Sequence, residues 1–241
     1  KSKRDVLTEL PDVINQTVNC PITNKKEYKQ AEDDLITYLE GIDIEAAERA
    51  LKAEHLVRIS NLKRLSLEGK LNFIEQFLKD WTESNEDDKI IVFGTLKEPL
   101  KQLYRKFKDE SELVIGESTT EDKMNKVERW KEKKQILFAN TATLSTGVDG
   151  LQKVCSNMVF VEYPIGPTDL EQAISRLERM GQKNSINVYF LLSDETIDTR
   201  LRKIFEEKSK IINAVNKGVS IDNIDKIQSI DVELLKSYKS N

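Results

Sequence analysis

Short apolar runs alternating with amphipathic stretches dominate the second half of the chain. Lys89–Phe93, Leu113–Ile115, Ile136–Ala139, Met158–Val161 and Ile186–Leu192 are near-continuous apolar runs bounded by turn residues. Runs of that kind fit strands buried on both faces. Between them, Leu96, Leu100, Leu103 and Phe107 fall in helical register, as do Met124, Val127 and Trp130. A further helix is expected from about Thr168 to Met180, and a long amphipathic one from Glu195 to about Val215. Strands and helices in alternation predict an α/β fold, with a mainly parallel central sheet covered on both faces.

The first half has a different texture. Val13–Cys20 alternates and is rich in β-branched residues, which predicts a strand. From about Asn24 to Trp81 the pattern is helical. Tyr28, Ala31, Leu35 and Leu39 define one helix, Gly41 and Asp43 read as its stop and the next N-cap, and a second helix is expected from Ile44 to about Leu65. Leu71, Ile74, Phe77, Leu78 and Trp81 mark a third, ended by the acidic turn Glu83–Asp88. Ile221–Tyr238 reads as a helical tail. The expected division is therefore a lead-in strand in 1–23, an inserted helical subdomain in 24–83, the α/β domain in 84–216 and the tail in 217–241.

Composition narrows the function classes. With 38% hydrophobic and 33% charged residues, 9 Gly and 5 Pro, the 241-residue chain is ordered and helix-leaning. No apolar run is long enough to cross a bilayer and no signal-peptide pattern opens it, so a secreted or membrane protein is not expected. The net charge of −4 argues against a domain wrapped in nucleic acid but leaves local phosphate contacts open. Cys20, Cys155 and the sole histidine, His55, have no ligand spacing, so the cysteines read as buried thiols rather than a zinc site. The chain opens on the charged stretch Lys1–Asp5 without Met and reads as a segment of something longer.

In open parallel sheets, chemistry collects in loops after the strands. Here these are Gly116–Thr120, Asn140–Asp149 and Tyr163–Pro167 with the helix behind it. Gln172, Arg176 and Arg179 are spaced four and three apart and would share a helix face. Two planar, permanently charged guanidiniums on one face can fork onto a polyphosphate. A solvated face laced with ion pairs to Glu171 and Glu178 is the alternative. The Asn140–Asp149 loop is crowded with hydroxyls and can offer donors to phosphates, with Asp149 available for a ribose hydroxyl, although such loops are commonly only turns.

Taken in order, these segments resemble the second lobe of superfamily-two helicases, in particular the Swi/Snf-type DNA translocases and their annealing-helicase relatives. Gln172–Gln182 closely resembles motif VI, Q-A-x-x-R-x-x-R-x-G-Q. Thr141–Asp149 resembles motif V, Lys89–Phe93 the motif IV strand, Val114–Thr120 the element after it, and Arg4–Pro11 the lead-in to the lobe. Ser175 stands where the family often has Gly, and Thr146 where DEAD-box helicases carry Arg. The paired glycines common in motif V of Swi/Snf proteins are absent.

The resemblance implies a RecA-like three-layer sandwich. It implies Arg176 and Arg179 as arginine fingers toward the γ-phosphate of ATP, with Gln172 beside them. Gly147 and Asp149 would lie near the nucleotide, and Thr141, Ser118 and Thr119 on a nucleic-acid backbone. Residues 24–83 would be the helical protrusion of these proteins. It is either a packing buttress or a clamp on duplex DNA, with Lys52, Arg58, Lys63, Arg64 and Lys70 as candidate charges. No G-x-x-x-x-G-K-[ST] and no D-E-x-H strand end occurs. ATP and Mg2+ are therefore expected to be held mainly by an N-terminal RecA-like lobe, and the fragment alone is expected to be inactive. DNA is the expected partner, with RNA or a restriction-type motor as alternatives, and a non-catalytic helicase-like binding module as the rival class. The implied location is cytoplasmic for a bacterial or viral protein and nuclear for a eukaryotic one.

Overall fold

The apolar runs and the N-terminal alternating segment become six strands. They are β1 (Val13–Asn19), β2 (Ile90–Gly94), β3 (Ser111–Val114), β4 (Ile136–Asn140), β5 (Asn157–Phe160) and β6 (Ile186–Leu192). The computed structural model describes residues 10–40, 52–117, 119–141, 143–144, 148–164, 167–216 and 230–239. Strand order is β1-β6-β5-β2-β4-β3, and every neighbouring pair is parallel. β2, β3 and β5 are buried throughout and β4 in all but its last residue, Asn140, the polar Ser111, Glu112 and Asn157 included, whereas β1 lies at the edge and is largely exposed.

Eight helices are described: α1 (Lys25–Glu40), α2 (Lys52–Gly69), α3 (Leu71–Ser84), α4 (Lys97–Lys106), α5 (Thr120–Lys133), α6 (Pro167–Ile174), α7 (Ile197–Asn216) and α8 (Ile230–Lys239). Alternate strand residues feed two separate cores. Ile90, Val92, Ile136, Phe138 and Val159 pack under α3 and α4. Ile91, Phe93, Leu137, Met158 and Phe160 pack under α5, α6 and α7, and α1, α2 and α8 extend that second core. The result is the expected three-layer sandwich. The helical first half is not a detached body, because α3 lies directly on the sheet face beside α4.

Register makes an aromatic row across the second face. Phe93 is level with Phe160, and Phe160 with Phe190. Their rings stack at 5.3 Å in both steps, Tyr163 stacks on Phe190 at 5.5 Å, and Phe205 of α7 meets Tyr163 edge-on at 5.0 Å. Each such pair adds about 0.5–1.5 kcal/mol beyond the area it buries, which fixes α7 over β5 and β6.

The junction of α2 and α3 is clamped by the chain entering α1. Thr23 donates its N–H and its hydroxyl to the Gly69 carbonyl at 2.9 and 3.1 Å, and Asn24 Nδ2 donates to the Leu65 carbonyl at 3.0 Å. A methyl at position 69 would lie 2.0 Å from Asn24 Oδ1 and 2.8 Å from Ile22 Cβ, so this approach needs glycine. α2 accordingly runs to Gly69, past the expected end near Leu65. The expected stop at Gly41, the cap at Asp43 and the start at Ile44 fall outside the described residues, as does the first part of the tail, of which α8 is described.

Candidate functional site

The arginine segment does not form one continuous helix. α6 ends at Ile174, six residues before the expected limit. Ser175 still bonds four residues back, to Glu171, but Arg176 and Leu177 bond three back, to Ala173 and Ile174. The tightened turns keep Leu177 fully buried beneath the segment. Gly181, at φ 91, then lets the chain turn toward β6. Gln182 fastens the turn: its Nε2 donates to the Cys155 carbonyl at 2.8 Å, and its Oε1 accepts from Lys183 and Asn184 N–H at 3.0 and 3.1 Å. The last residue of the motif is thus an anchor to the start of β5.

These turns bring Arg176, Arg179 and Asp149 together. Arg179 donates from Nη1 to Asp149 Oδ1 at 2.8 Å and from Nε to the Ser175 carbonyl at 3.2 Å. The Asp149 side chain is 89% exposed, so this pair contributes about 0–1 kcal/mol and is easily exchanged for another anion. Arg176 is half-buried, and its Nε has no hydrogen-bond partner. Burial, and then the adjacent Arg179 charge, push its pKa below the usual arginine range, with Asp149 opposing. A guanidinium remains charged under those conditions, so Arg176 is a cation short of an acceptor. Gln172 lies exposed on α6, and no hydrogen bond joins its amide to either arginine.

Lys131 of α5 is a third cation that the sequence does not signal. Its Nζ donates to the Asp149 carbonyl at 3.0 Å and to Glu128 at 2.8 Å. It stands 18 positions before Asp149, and only the fold brings the two together.

The other candidates lie at the opposite, carboxyl edge of the sheet. Thr119 caps α5, its Oγ1 accepting from Asp122 N–H at 3.2 Å, which leaves its own O–H free to donate outward. Thr141 is buried at 4% exposure, and its N–H and hydroxyl both face the Gly94 carbonyl, the hydroxyl at a long 3.4 Å. Gly116 and Thr143 lie close, since a methyl added at Gly116 would come within 3.8 Å of Thr143 Oγ1. Ser118 and Gly147 lie outside the described residues.

Two of the basic residues considered for a duplex clamp are not available for one. Lys63, 4% exposed, pairs with the buried Glu162 at 2.8 Å and donates to Thr95 Oγ1 at 3.1 Å. Glu162 also accepts from Thr95 N–H, Thr95 O–H and Leu96 N–H at 2.6, 2.8 and 3.1 Å. Burial alone would raise the Glu162 carboxyl, but the Lys63 ammonium and these donors outweigh it and hold the carboxyl below its ordinary value. Lys70 is fully buried, bonded to Asp198 at 2.5 Å and to the Leu191 carbonyl at 2.7 Å. Arg58 and Arg64 pair with Glu54 and Glu68 on their own helix, in partly exposed pairs that another anion can displace. Burial turns both lysines into structural ties, which helical periodicity among charged neighbours does not reveal.

Residues 69–181 match the helicase conserved C-terminal domain. The chromatin-remodeling ATPase INO80 of Debaryomyces hansenii is 24% identical over 168 residues, covering 68% of this chain and 12% of that protein. The chain therefore spans only a small part of its curated relatives. Among solved structures, the C-terminal part of the Fun30 ATPase domain superposes with a TM-score of 0.68 at 12% identity, over 96% of this chain and 98% of that one. The Sulfolobus solfataricus SWI2/SNF2 ATPase core in complex with dsDNA gives 0.66 at 16% identity, over 96% and 52%. Sheet topology and these superpositions agree on the fold of such an ATPase lobe, and residues 69–181 are similar to the helicase conserved C-terminal domain.

Proposed function

We propose that this lobe is the second half of a DNA-dependent ATPase and translocase. It would complete an ATP site whose larger part lies in an N-terminal RecA-like lobe. The observation that carries the reading is the Arg176–Arg179–Asp149 patch: two adjacent guanidiniums, one with a buried donor left unpaired and one on an exposed, weakly held carboxylate. Such a donor set fits the oxyanions of a triphosphate. When the lobes close, Arg179 exchanges Asp149 for phosphate oxygen and Arg176 gains the acceptor it lacks. Both then meet charge that grows in the transition state, an effect of about 10³–10⁵ in turnover for an arginine finger. Asp149, once released, is free to accept from a ribose hydroxyl, with Gly147 in the same loop and Gln172 toward the rim. Mg2+ and the remaining phosphate contacts belong to the N-terminal lobe.

Thr119, Ser118 and Thr141 are assigned to the sugar–phosphate backbone of the tracked strand. Such contacts position a strand without reading its sequence. Thr119 can donate as it stands, whereas Thr141 must first give up its long bond to Gly94. DNA is the assigned substrate, and the SWI2/SNF2 core solved with dsDNA supports it. In a eukaryotic cell the parent protein would act in the nucleus. The test is the DNA-stimulated ATPase rate of the parent protein carrying Arg176→Ala or Arg179→Ala. Loss of turnover with DNA affinity retained is expected, and wild-type turnover in both variants overturns the assignment.

A further inference from the structure

β2, β5 and β6 start side by side, and the segments leading into them border a half-open cavity of about 490 Å3 with a mixed polar and apolar lining. Asp88 leads into β2, Gln152–Ser156 into β5 and Gly181–Asn184 into β6. The cavity lies at the amino edge of the sheet, on the side of the arginine patch and away from the Thr119 and Thr141 loops, and no residue assigned a role in the proposed reaction lines it. Part of its lining is already committed: Gln182 bonds on both sides of its amide, and the Cys155 thiol faces the Lys89 and Asn157 carbonyls.

One buried atom of the lining is unsatisfied. Gln152 Oε1 is buried and has no hydrogen-bond partner. Ser156 is 8% exposed, and its hydroxyl bonds to no described residue. Lys153 and Lys183 border the cavity without a carboxylate partner among the described residues. Native proteins leave few buried polar atoms unpaired, and each one marks something missing. A buried bare acceptor calls for a donor, the exposed ammonium groups of Lys153 and Lys183 stand at the rim where an anion could meet them, and Asp88 offers a second acceptor in the same space.

We propose that this cavity binds a small oxyanion that also carries hydroxyl donors, such as a polyol phosphate or a polyhydroxy-carboxylate. Its anionic end sits on Lys153, Lys183 and the Ser156 hydroxyl, and its hydroxyls donate to Gln152 Oε1 and Asp88. The volume is in the range of small-molecule sites. The test is titration calorimetry of the whole chain with glucose 6-phosphate, gluconate and inorganic phosphate in parallel.

One of the two hydroxylated anions should bind about tenfold more tightly than inorganic phosphate, and which one does so identifies the anion class. Lys153→Gln and Lys183→Gln should each weaken it by about tenfold, the worth of one charge-assisted hydrogen bond. Gln152→Leu should abolish the preference over inorganic phosphate, and Arg176→Ala should change nothing. Absence of binding to all three at about 10 mM overturns the proposal and leaves water as the filler. So does binding that survives both lysine changes, or binding lost in Arg176→Ala, which would put the anion on the arginine patch.

Discussion

Replacing Lys70 by Met tests whether the α2–α3 junction is held to the sheet by charge. Lys70 is fully buried, and its Nζ is shared between Asp198 at 2.5 Å and the Leu191 carbonyl at 2.7 Å. Methionine fills nearly the same volume, so the perturbation is electrostatic rather than steric. It strands the Asp198 carboxylate, 1% exposed, with only Ser66 Oγ at 3.0 Å and Ser193 N–H at 3.4 Å, and leaves the Leu191 carbonyl without its donor. Breaking a buried pair on one side costs about 3–5 kcal/mol, about a fifth or more of a typical total near 5–15 kcal/mol. Adding Asp198→Asn removes the stranded charge while keeping hydrogen-bonding atoms in place. The double variant should be less destabilised than the sum of the singles, by about 2 kcal/mol or more. Urea unfolding followed by fluorescence of Trp81 and Trp130 measures all four corners of the cycle. A cost below about 1 kcal/mol for Lys70→Met, or strictly additive costs, would refute the reasoning.

Three other outcomes are expected. Phe160→Ala, which removes the middle of the aromatic row, should cost about 3–5 kcal/mol in urea unfolding, against about 1–3 kcal/mol for Phe160→Leu, which fills most of the volume but loses both stacked pairs; a cost below about 0.5 kcal/mol for Phe160→Leu would show that the stacking is incidental. Glu162, held below its ordinary value by Lys63 and Thr95 despite burial, contributes stability that is present above the unfolded glutamate pKa and lost as pH falls through the lower folded one. The urea midpoint should therefore drop on acidification below the ordinary glutamate range, and Glu162→Gln should flatten that part of the profile. Burial pushes the thiols of Cys20 and Cys155 up to about 12, so native protein at pH 8 should resist a disulfide reagent while unfolded protein titrates both cysteines; rapid modification of the native state would contradict their placement.

The strands were legible because a sheet covered on both faces demands unbroken apolar runs. Lys89–Phe93, Ile136–Ala139 and Met158–Val161 sit within two residues of the observed strands. The grouping of Arg176 with Arg179 was legible from spacing, since the tightened turns after Ile174 preserve their nearness. The end of α6 was not, because its cause is tertiary: Leu177 is drawn into the core and Gln182 is pinned to Cys155. Lys63 and Lys70 read as candidate charges for a duplex clamp because their partners, Glu162 and Asp198, lie about a hundred or more positions away. Periodicity registers only near neighbours. Lys131 at Asp149 and the unpaired lining of the β2–β5–β6 cavity escaped the sequence for the same reason.

The central claim, that Arg176 and Arg179 complete an ATP site, is tested most directly by ATPase turnover in the parent protein at saturating DNA. Alanine at either position should lower turnover by about 10³-fold or more, while DNA affinity and the urea midpoint stay near wild type. Turnover within a few-fold of wild type in both variants would contradict the account.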